Sequence, residues 1–132
     1  APILYVTGVK WLVERPRPIT SVGSDLLPGD PSFPSGHTAA AVIVSVMMIL
    51  TVRNFARKRF PDGEDDGRAN GRRVFLRRAV IGAVALVAAV ACSRLLLGLH
   101  YPTDVIISAT ICPLISYAVW CVWNAYESAA ER

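Results

Sequence analysis

The feature that most limits the fold of this chain is the grouping of its apolar residues into four blocks. The blocks cover roughly residues 1–13, 38–52, 79–99 and 105–123, and polar or proline-containing stretches separate them. With its flanks, each complete block reaches the ~20 residues that a helix needs to cross a bilayer. Buried helices of a larger soluble protein are the alternative, but 132 residues, 53% of them hydrophobic, cannot surround several wholly apolar helices with polar ones. We therefore predict an all-α fold, a transmembrane helical bundle.

The block boundaries predict helices over about residues 1–15, 35–56, 76–97 and 102–126, within a single membrane domain over residues 1–132. The first block is short and begins at Ala1 without an initiator Met, so we expect an N-terminally truncated fragment that starts inside a helix. The charged start and small-residue cleavage site of a signal peptide are not apparent.

Basic residues are concentrated between the second and third blocks. Of fourteen Lys and Arg residues, nine fall between Arg53 and Arg78, in a chain of net charge +4. A nucleic-acid patch is conceivable, but a short basic loop between apolar helices fits the positive-inside rule better. We therefore predict a cytoplasmic loop over about 53–78, no nucleic-acid partner, and segments 14–33 and 98–103 on the outer side of a plasma membrane. The Ala- and Arg-rich composition favours a bacterial source.

Three polar clusters interrupt the apolar pattern, and the first follows the first block. Lys10 lies within apolar sequence, and Arg17-Pro18 follows after six intervening residues. Two helical turns separate Lys10 from Arg17, so both side chains could face one pocket before Pro16 and Pro18 stop the helix. The alternative for Lys10 alone is a side chain that only extends to the membrane interface.

The second cluster is Pro34-Ser35-Gly36-His37, immediately before the apolar run that starts at Thr38. Ser35 suits a helix N-cap, and Gly36 allows another group to approach the backbone closely. Free N–H groups and the positive end of the helix dipole favour an anion such as phosphate at this point. The tetrapeptide alone is a weak signal, because helix caps of this composition are common.

The third cluster is Ser93-Arg94, followed by His100 and then by Asp104. Gly98 and Pro102 predict that His100 lies at a junction between two helices. Asp104, in the first turn of the second helix, could accept a hydrogen bond from one imidazole nitrogen and leave the other free to attack. A His and an Asp four residues apart can equally be a structural pair, and for this pair alone that interpretation is favoured.

The predicted topology brings all three clusters to the same end of the helices. Cations and backbone donors suit a phosphoryl group, whose transfer depends mainly on positioning and charge neutralisation. Two histidines suit opposite tasks, one as nucleophile and the other as general acid.

At these residues the chain resembles the type-2 phosphatidic acid phosphatase superfamily of membrane lipid phosphatases. The three signature motifs of that family match Lys10 with Arg17-Pro18, Pro34-Ser35-Gly36-His37, and Ser93-Arg94 with His100 and Asp104. The resemblance implies a six-helix membrane phosphatase core, of which this chain would contain the end of the third helix and the fourth to sixth. It also implies that His100 attacks phosphorus to give a phosphohistidine, Asp104 orients it, and His37 protonates the leaving group.

The resemblance further implies phosphate-binding residues: Lys10, Arg17, Ser35, Gly36 and Arg94. It leaves the roles of Pro18, Pro34 and Ser93 open. No metal or other cofactor is implied, and the three cysteines lack the spacing of metal ligands.

The implied substrate is a membrane lipid phosphate: a polyprenyl diphosphate, phosphatidic acid or phosphatidylglycerol phosphate. The related vanadium haloperoxidases are soluble and larger, which the apolar blocks argue against. A lipid phosphotransferase using the same phosphohistidine and, less favoured, a non-catalytic membrane scaffold stay open. The oligomeric state is not indicated.

Overall fold

The computed structural model describes residues 2–18, 29–59 and 66–130. In these ranges the chain forms four helices and no strand: α1 (Pro2–Val13), α2 (Gly36–Arg59), α3 (Asp66–Leu96) and α4 (Pro102–Ala130). By length and composition α2, α4 and the Ala69–Leu96 part of α3 could each cross a membrane, whereas α1 is shorter. The predicted all-α fold with membrane-length helices is confirmed.

The region between the second and third helices differs from the prediction. α2 continues to Arg59, and α3 begins at Asp66 rather than near residue 76. Much of the predicted basic loop over 53–78 is therefore helical, and residues 60–65 lie outside the described part of the chain. Hydropathy marks where a helix leaves the bilayer, not where it ends, and Arg, Lys and Ala are good helix formers in water.

Two left-handed residues end the helices beside the candidate site. α1 stops at Val13, two residues before its predicted end, where Glu14 has a φ of 46° and its N–H donates to Lys10 O at 2.9 Å. α3 ends in a Schellman motif around Gly98, whose φ is 64°. The N–H groups of Gly98 and Leu99 donate to the carbonyls of Leu95 and Arg94 at 2.9 and 3.1 Å. These ends turn the chain sharply at the edge of the bundle.

α2 is the central helix and packs against the other three, most extensively against α3. The buried cluster joins Val6 of α1, Ala39 and Val42 of α2 and Cys112 of α4. Small residues let the backbones approach closely, and Ser45 Oγ donates to Ala83 O across the α2–α3 contact at 3.4 Å. These contacts hold α2 against α1, α3 and α4.

Large apolar side chains cover the outer faces of the bundle. Val84 of α3 is 63% exposed, and Leu114 and Val122 of α4 are 67% and 71% exposed. Only 6% of the most apolar window of α3 is buried within the described chain. Apolar faces of this extent require lipid or further protein as their surroundings.

Candidate active site

The start of α2 is fixed by Ser35, which is fully buried. Its hydroxyl caps the helix by accepting from Thr38 N at 3.4 Å, as the sequence predicts. Its backbone N–H donates to Asp104 O at 3.2 Å, and its carbonyl accepts from Ser108 Oγ at 3.0 Å. Ser35 therefore joins the first turn of α2 to the first turns of α4.

Gly36 and His37 open α2 and line a pocket at this end of the bundle. Their N–H groups have no carbonyl of a preceding turn to bond to, because they are in the first turn. A Cβ on Gly36 would meet only Val6 Cγ1, at 3.9 Å, so the packing of the protein does not itself require glycine. His37 is solvent exposed.

Two cations form the opposite wall. Lys10 is in the last turn of α1, whereas Arg17 lies beyond the helix, in the segment that contains Pro16 and Pro18. Arg17 is held there by its own bonds, since Nη1 donates to Leu99 O at 2.9 Å. The predicted convergence of Lys10 and Arg17 on one pocket is therefore observed, although they do not share a helix.

Both cations bind the carboxylate of Asp30. Lys10 Nζ lies 2.5 Å from Oδ2, and Arg17 Nη2 lies 2.6 Å from Oδ1. Partial burial raises the pKa of Asp30, but the hydrogen bonds and charges of Lys10 and Arg17 lower this pKa by more, so the carboxyl is ionised at neutral pH.

His100 lies between α3 and α4 and is 4% exposed. Burial, and then the charge of Arg17, lower the pKa of its imidazole below the usual value, so the ring is neutral at neutral pH. Nε2 lies 3.5 Å from Arg17 Nη1, and Nδ1 lies 3.5 Å from Asp104 Oδ2. A neutral imidazole with one nitrogen beside Arg17 has the form that a nucleophile requires.

Asp104 is fully buried in the first turn of α4. Oδ2 accepts from Tyr101 N at 2.9 Å, and Oδ1 accepts from Arg15 Nη1 at 2.8 Å. The Arg15 guanidinium also lies over the Tyr101 ring, 3.9 Å from its centroid. These two hydrogen bonds fix the orientation of the carboxylate, whose Oδ2 also faces His100.

The pocket that these elements enclose has a volume of about 340 Å³. Its walls combine cations, a helix start and two histidines: Lys10, Arg17, Asp30, Gly36, His37, Ala40, Leu99 and His100. Ser35 and Asp104 lie behind this wall. Arg94 is half-buried outside the lining, with Nε donating to Ser93 Oγ at 3.1 Å. Most predicted site residues therefore converge, and Arg94 does not reach the pocket in this arrangement.

A family model described as the PAP2 superfamily matches residues 1–127 of this chain. The chain belongs to the PAP2 superfamily. Two curated relatives, the decaprenylphosphoryl-5-phosphoribose phosphatases of two Mycobacterium tuberculosis strains, are each 29% identical to the PAP2 chain over 127 residues. The match covers 94% of the PAP2 chain and 56% of each relative, so the chain spans about half the length of these proteins. No solved structure matches it significantly.

Two charged residues that touch the motif residues of the PAP2 chain were not identified from the sequence. Arg15 binds Asp104, which is 89 residues away, and Asp30 binds Lys10, which is 20 residues away. Charged residues between prolines and glycines resemble a solvated loop, so no local pattern marks them. Their hydrogen bonds can be identified only once the ends of α1, α3 and α4 are in place.

Among the described residues of the PAP2 chain, no three His, Cys, Asp or Glu side chains are grouped so that they could hold a metal ion. Of the pocket-lining residues that the structure describes, Lys10 and Arg17 are the Lys and Arg side chains available to an anionic ligand.

Proposed function

We propose that the PAP2 chain is the catalytic portion of an integral-membrane phosphatase that removes phosphate from a lipid-linked substrate without a metal ion. The observation that carries the proposal is one pocket lined by Lys10, Arg17, the start of α2 and both histidines. The curated relatives are named as phosphatases. The membrane-length helices that support this pocket suit a substrate anchored in lipid.

In the proposed reaction, His100 Nε2 attacks phosphorus while Asp104 stabilises the positive charge that develops on the imidazole. The bond from phosphorus to the lipid oxygen breaks, and His37 donates a proton to that oxygen. Water then attacks the phosphohistidine, His37 accepts its proton, and phosphate and neutral His100 are released. Lys10, Arg17 and the α2 N-terminus neutralise the phosphoryl oxygens. We assign Ser35 to the same binding set through the turn that it caps. We assign Arg94 to it on the family resemblance alone, since its side chain would have to leave Ser93 Oγ to reach the phosphate.

For the substrate, we favour a polyprenyl-linked phosphate over phosphatidic acid or phosphatidylglycerol phosphate. The curated relatives carry a decaprenylphosphoryl sugar phosphate in their names. An apolar recess of about 450 Å³ lies between α2, α3 and α4, lined on α2 by Val42, Val46 and Ile49. A branched apolar chain suits such a surface.

For the orientation, we propose that the pocket faces the outer side of a bacterial plasma membrane. The last turn of α2 contains Arg57, Lys58 and Arg59, at the opposite end from His37, and basic ends favour the cytoplasm. Cysteines introduced at Arg57 and at Ser24, a position outside the described residues, test this with an impermeant thiol reagent on intact cells. Labelling at residue 57 alone would show that the protein has the reverse of the proposed orientation.

The decisive test of activity is phosphate release by the full-length protein in detergent, with EDTA present. The substrates are a polyprenyl phosphate ester, a polyprenyl diphosphate, phosphatidic acid and phosphatidylglycerol phosphate. We expect release from a polyprenyl substrate, none from His100→Ala, and an acid-labile phosphoenzyme in the wild type only. Phosphate found on an acceptor other than water would identify a phosphotransferase, and no turnover of any lipid would contradict the proposal.

A further inference from the structure

Among the described residues that line the pocket, Asp30 is the one with an acidic side chain, and it contacts the Lys10 and Arg17 cations there. Its two carboxylate oxygens are divided between them, Oδ2 to Lys10 at 2.5 Å and Oδ1 to Arg17 at 2.6 Å. Two oxygens of one phosphate would require the same two donors. The carboxylate and a substrate phosphate therefore compete for Lys10 and Arg17.

The exposures of the three side chains show which partner can be exchanged. Lys10 and Arg17 are 12% and 9% exposed, whereas Asp30 is 47% exposed. Nearly buried cations lose hydration and need an anion beside them. A half-exposed carboxylate can return to water at little cost, because exposed ion pairs are weak.

We propose that Asp30 occupies the phosphate subsite of the empty enzyme as an internal counter-anion, which substrate phosphate displaces and which displaces product phosphate in turn. This inference rests on the proposed function, since it assigns Lys10 and Arg17 to phosphate. With Asp30 in place the three side chains carry a net charge of +1, and with the carboxylate withdrawn Lys10 and Arg17 offer +2. A phosphate dianion matches the second state, so singly charged anions displace Asp30 less effectively.

The backbone around Asp30 is held independently of the carboxylate. Arg17 Nε donates to Asp30 O at 3.1 Å, and Ser32 N donates to Arg15 O at 2.8 Å. Ser32 Oγ also donates to Pro16 O at 3.0 Å. Asp30→Asn therefore removes the charge while leaving the segment anchored.

The test compares full-length wild type with Asp30→Asn and Asp30→Ser in detergent, using inorganic phosphate as the probe. Two measurements are made: the phosphate concentration that half-inhibits hydrolysis of an aryl phosphate, and the concentration that half-maximally raises Tm. We expect both phosphate concentrations to fall about three- to tenfold in the Asp30 variants, which means tighter phosphate binding. This is the range for releasing two partly exposed ion pairs. Glu14→Gln, which removes the same charge from an exposed neighbouring position, is the control and should leave both unchanged.

Unchanged or weaker phosphate binding by folded Asp30 variants would overturn the inference and make Asp30 a positioning group for the cations. An equal gain in Glu14→Gln would overturn it as well, because net charge alone would then explain the effect. If the Tm measurement shows tighter phosphate binding while wild type hydrolyses no phosphate ester, the inference stands and the proposed phosphatase function fails.

Discussion

Arg15 and Asp104 form an ion pair of 2.8 Å between the segment after α1 and the first turn of α4. The carboxylate is fully buried and the guanidinium is 33% exposed. Arg15 thereby places a cation beside the carboxylate that faces His100 Nδ1, and it connects two segments that are 89 residues apart.

Loss of this ion pair should affect both stability and catalysis. In Arg15→Gln, Asp104 keeps its bond from Tyr101 N but loses its charged partner, so we expect about 1–3 kcal/mol less stability and lower kcat. Arg15→Lys retains the charge and should recover part of both. Thermal unfolding measures the stability and turnover in detergent measures kcat. Equal Tm and kcat in wild type, Arg15→Gln and Arg15→Lys would show that the ion pair of Arg15 with Asp104 contributes to neither.

Asp104→Asn should keep the shape of the site while removing the charge beside His100. We expect kcat to fall about 10²- to 10⁴-fold, as for carboxylates that orient a catalytic histidine. Activity should persist at a low level, because the phosphate-binding groups are untouched. A change of less than threefold in single-turnover experiments would show that the 3.5 Å approach to Nδ1 has no catalytic importance.

The two histidines should differ in their dependence on the leaving group. His37→Ala should strongly reduce turnover of a lipid phosphate, whose alkoxide needs a proton, and partly spare an activated aryl phosphate. His100→Ala should abolish both, because no phosphoenzyme forms. The assignment fails if folded His37→Ala loses both substrates equally, or if His100→Ala still yields a phosphoenzyme.

The pH dependence of kcat/KM should report the lowered pKa of His100. Burial and Arg17 keep the imidazole neutral to lower pH than usual, so the acid limb should lie below the ordinary histidine pKa. Removing the charge in Arg17→Gln makes protonation easier, and the limb should move to higher pH. Lys10→Gln also weakens phosphate binding, yet it does not act on this pKa and should leave the limb in place. Ionisation of the substrate affects the profiles of wild type and both variants equally. If the acid limb lies at the same pH in Arg17→Gln and in Lys10→Gln, the proposed effect of Arg17 on the pKa of His100 is wrong.

Gly36 should be required for the ligand rather than for the fold. Gly36→Ala places a methyl group at 3.9 Å from Val6 Cγ1, an ordinary contact, so Tm should not fall. We expect kcat/KM to decrease about tenfold or more, because the methyl group narrows the approach of phosphate to the α2 N-terminus. Gly82→Ala in α3, with no neighbour within 4 Å, is the control and should keep full activity. Unchanged kinetics in Gly36→Ala would argue against close approach at this turn.

The sequence predicted the features that depend on local pattern. Apolar blocks located the membrane-length helices, Ser35 was identified as a cap, and Gly98 and Pro102 bracketed the junction that contains His100. The long-range convergence of Lys10, His37 and His100 followed from alternating helix directions.

What the sequence did not predict depends on packing. The starts and ends of α2 and α3 near residues 59 and 66 lie where hydropathy no longer distinguishes helix from loop. Arg15 and Asp30 join the site through contacts between distant segments, and the direction of Arg94 is set by the bond to Ser93 at the end of α3. The spacing of residues along the sequence predicts none of these features.

The hydrogen bonds of Ser35 to α4 connect the two sides of the pocket that contain the histidines. The Ser35 N–H donates to Asp104 O and the Ser35 carbonyl accepts from Ser108 Oγ, so the helix start that carries His37 is attached to the first turns of α4 beside His100. The opposite wall, residues 14–18 and 29–32, contacts these helix ends at Leu99 and Asp104 through the side chains of Arg17 and Arg15. The relative position of the α2 turn and of the proposed nucleophile His100 is therefore fixed by hydrogen bonds of the Ser35 main chain, which substitution of Arg15 or Arg17 leaves in place.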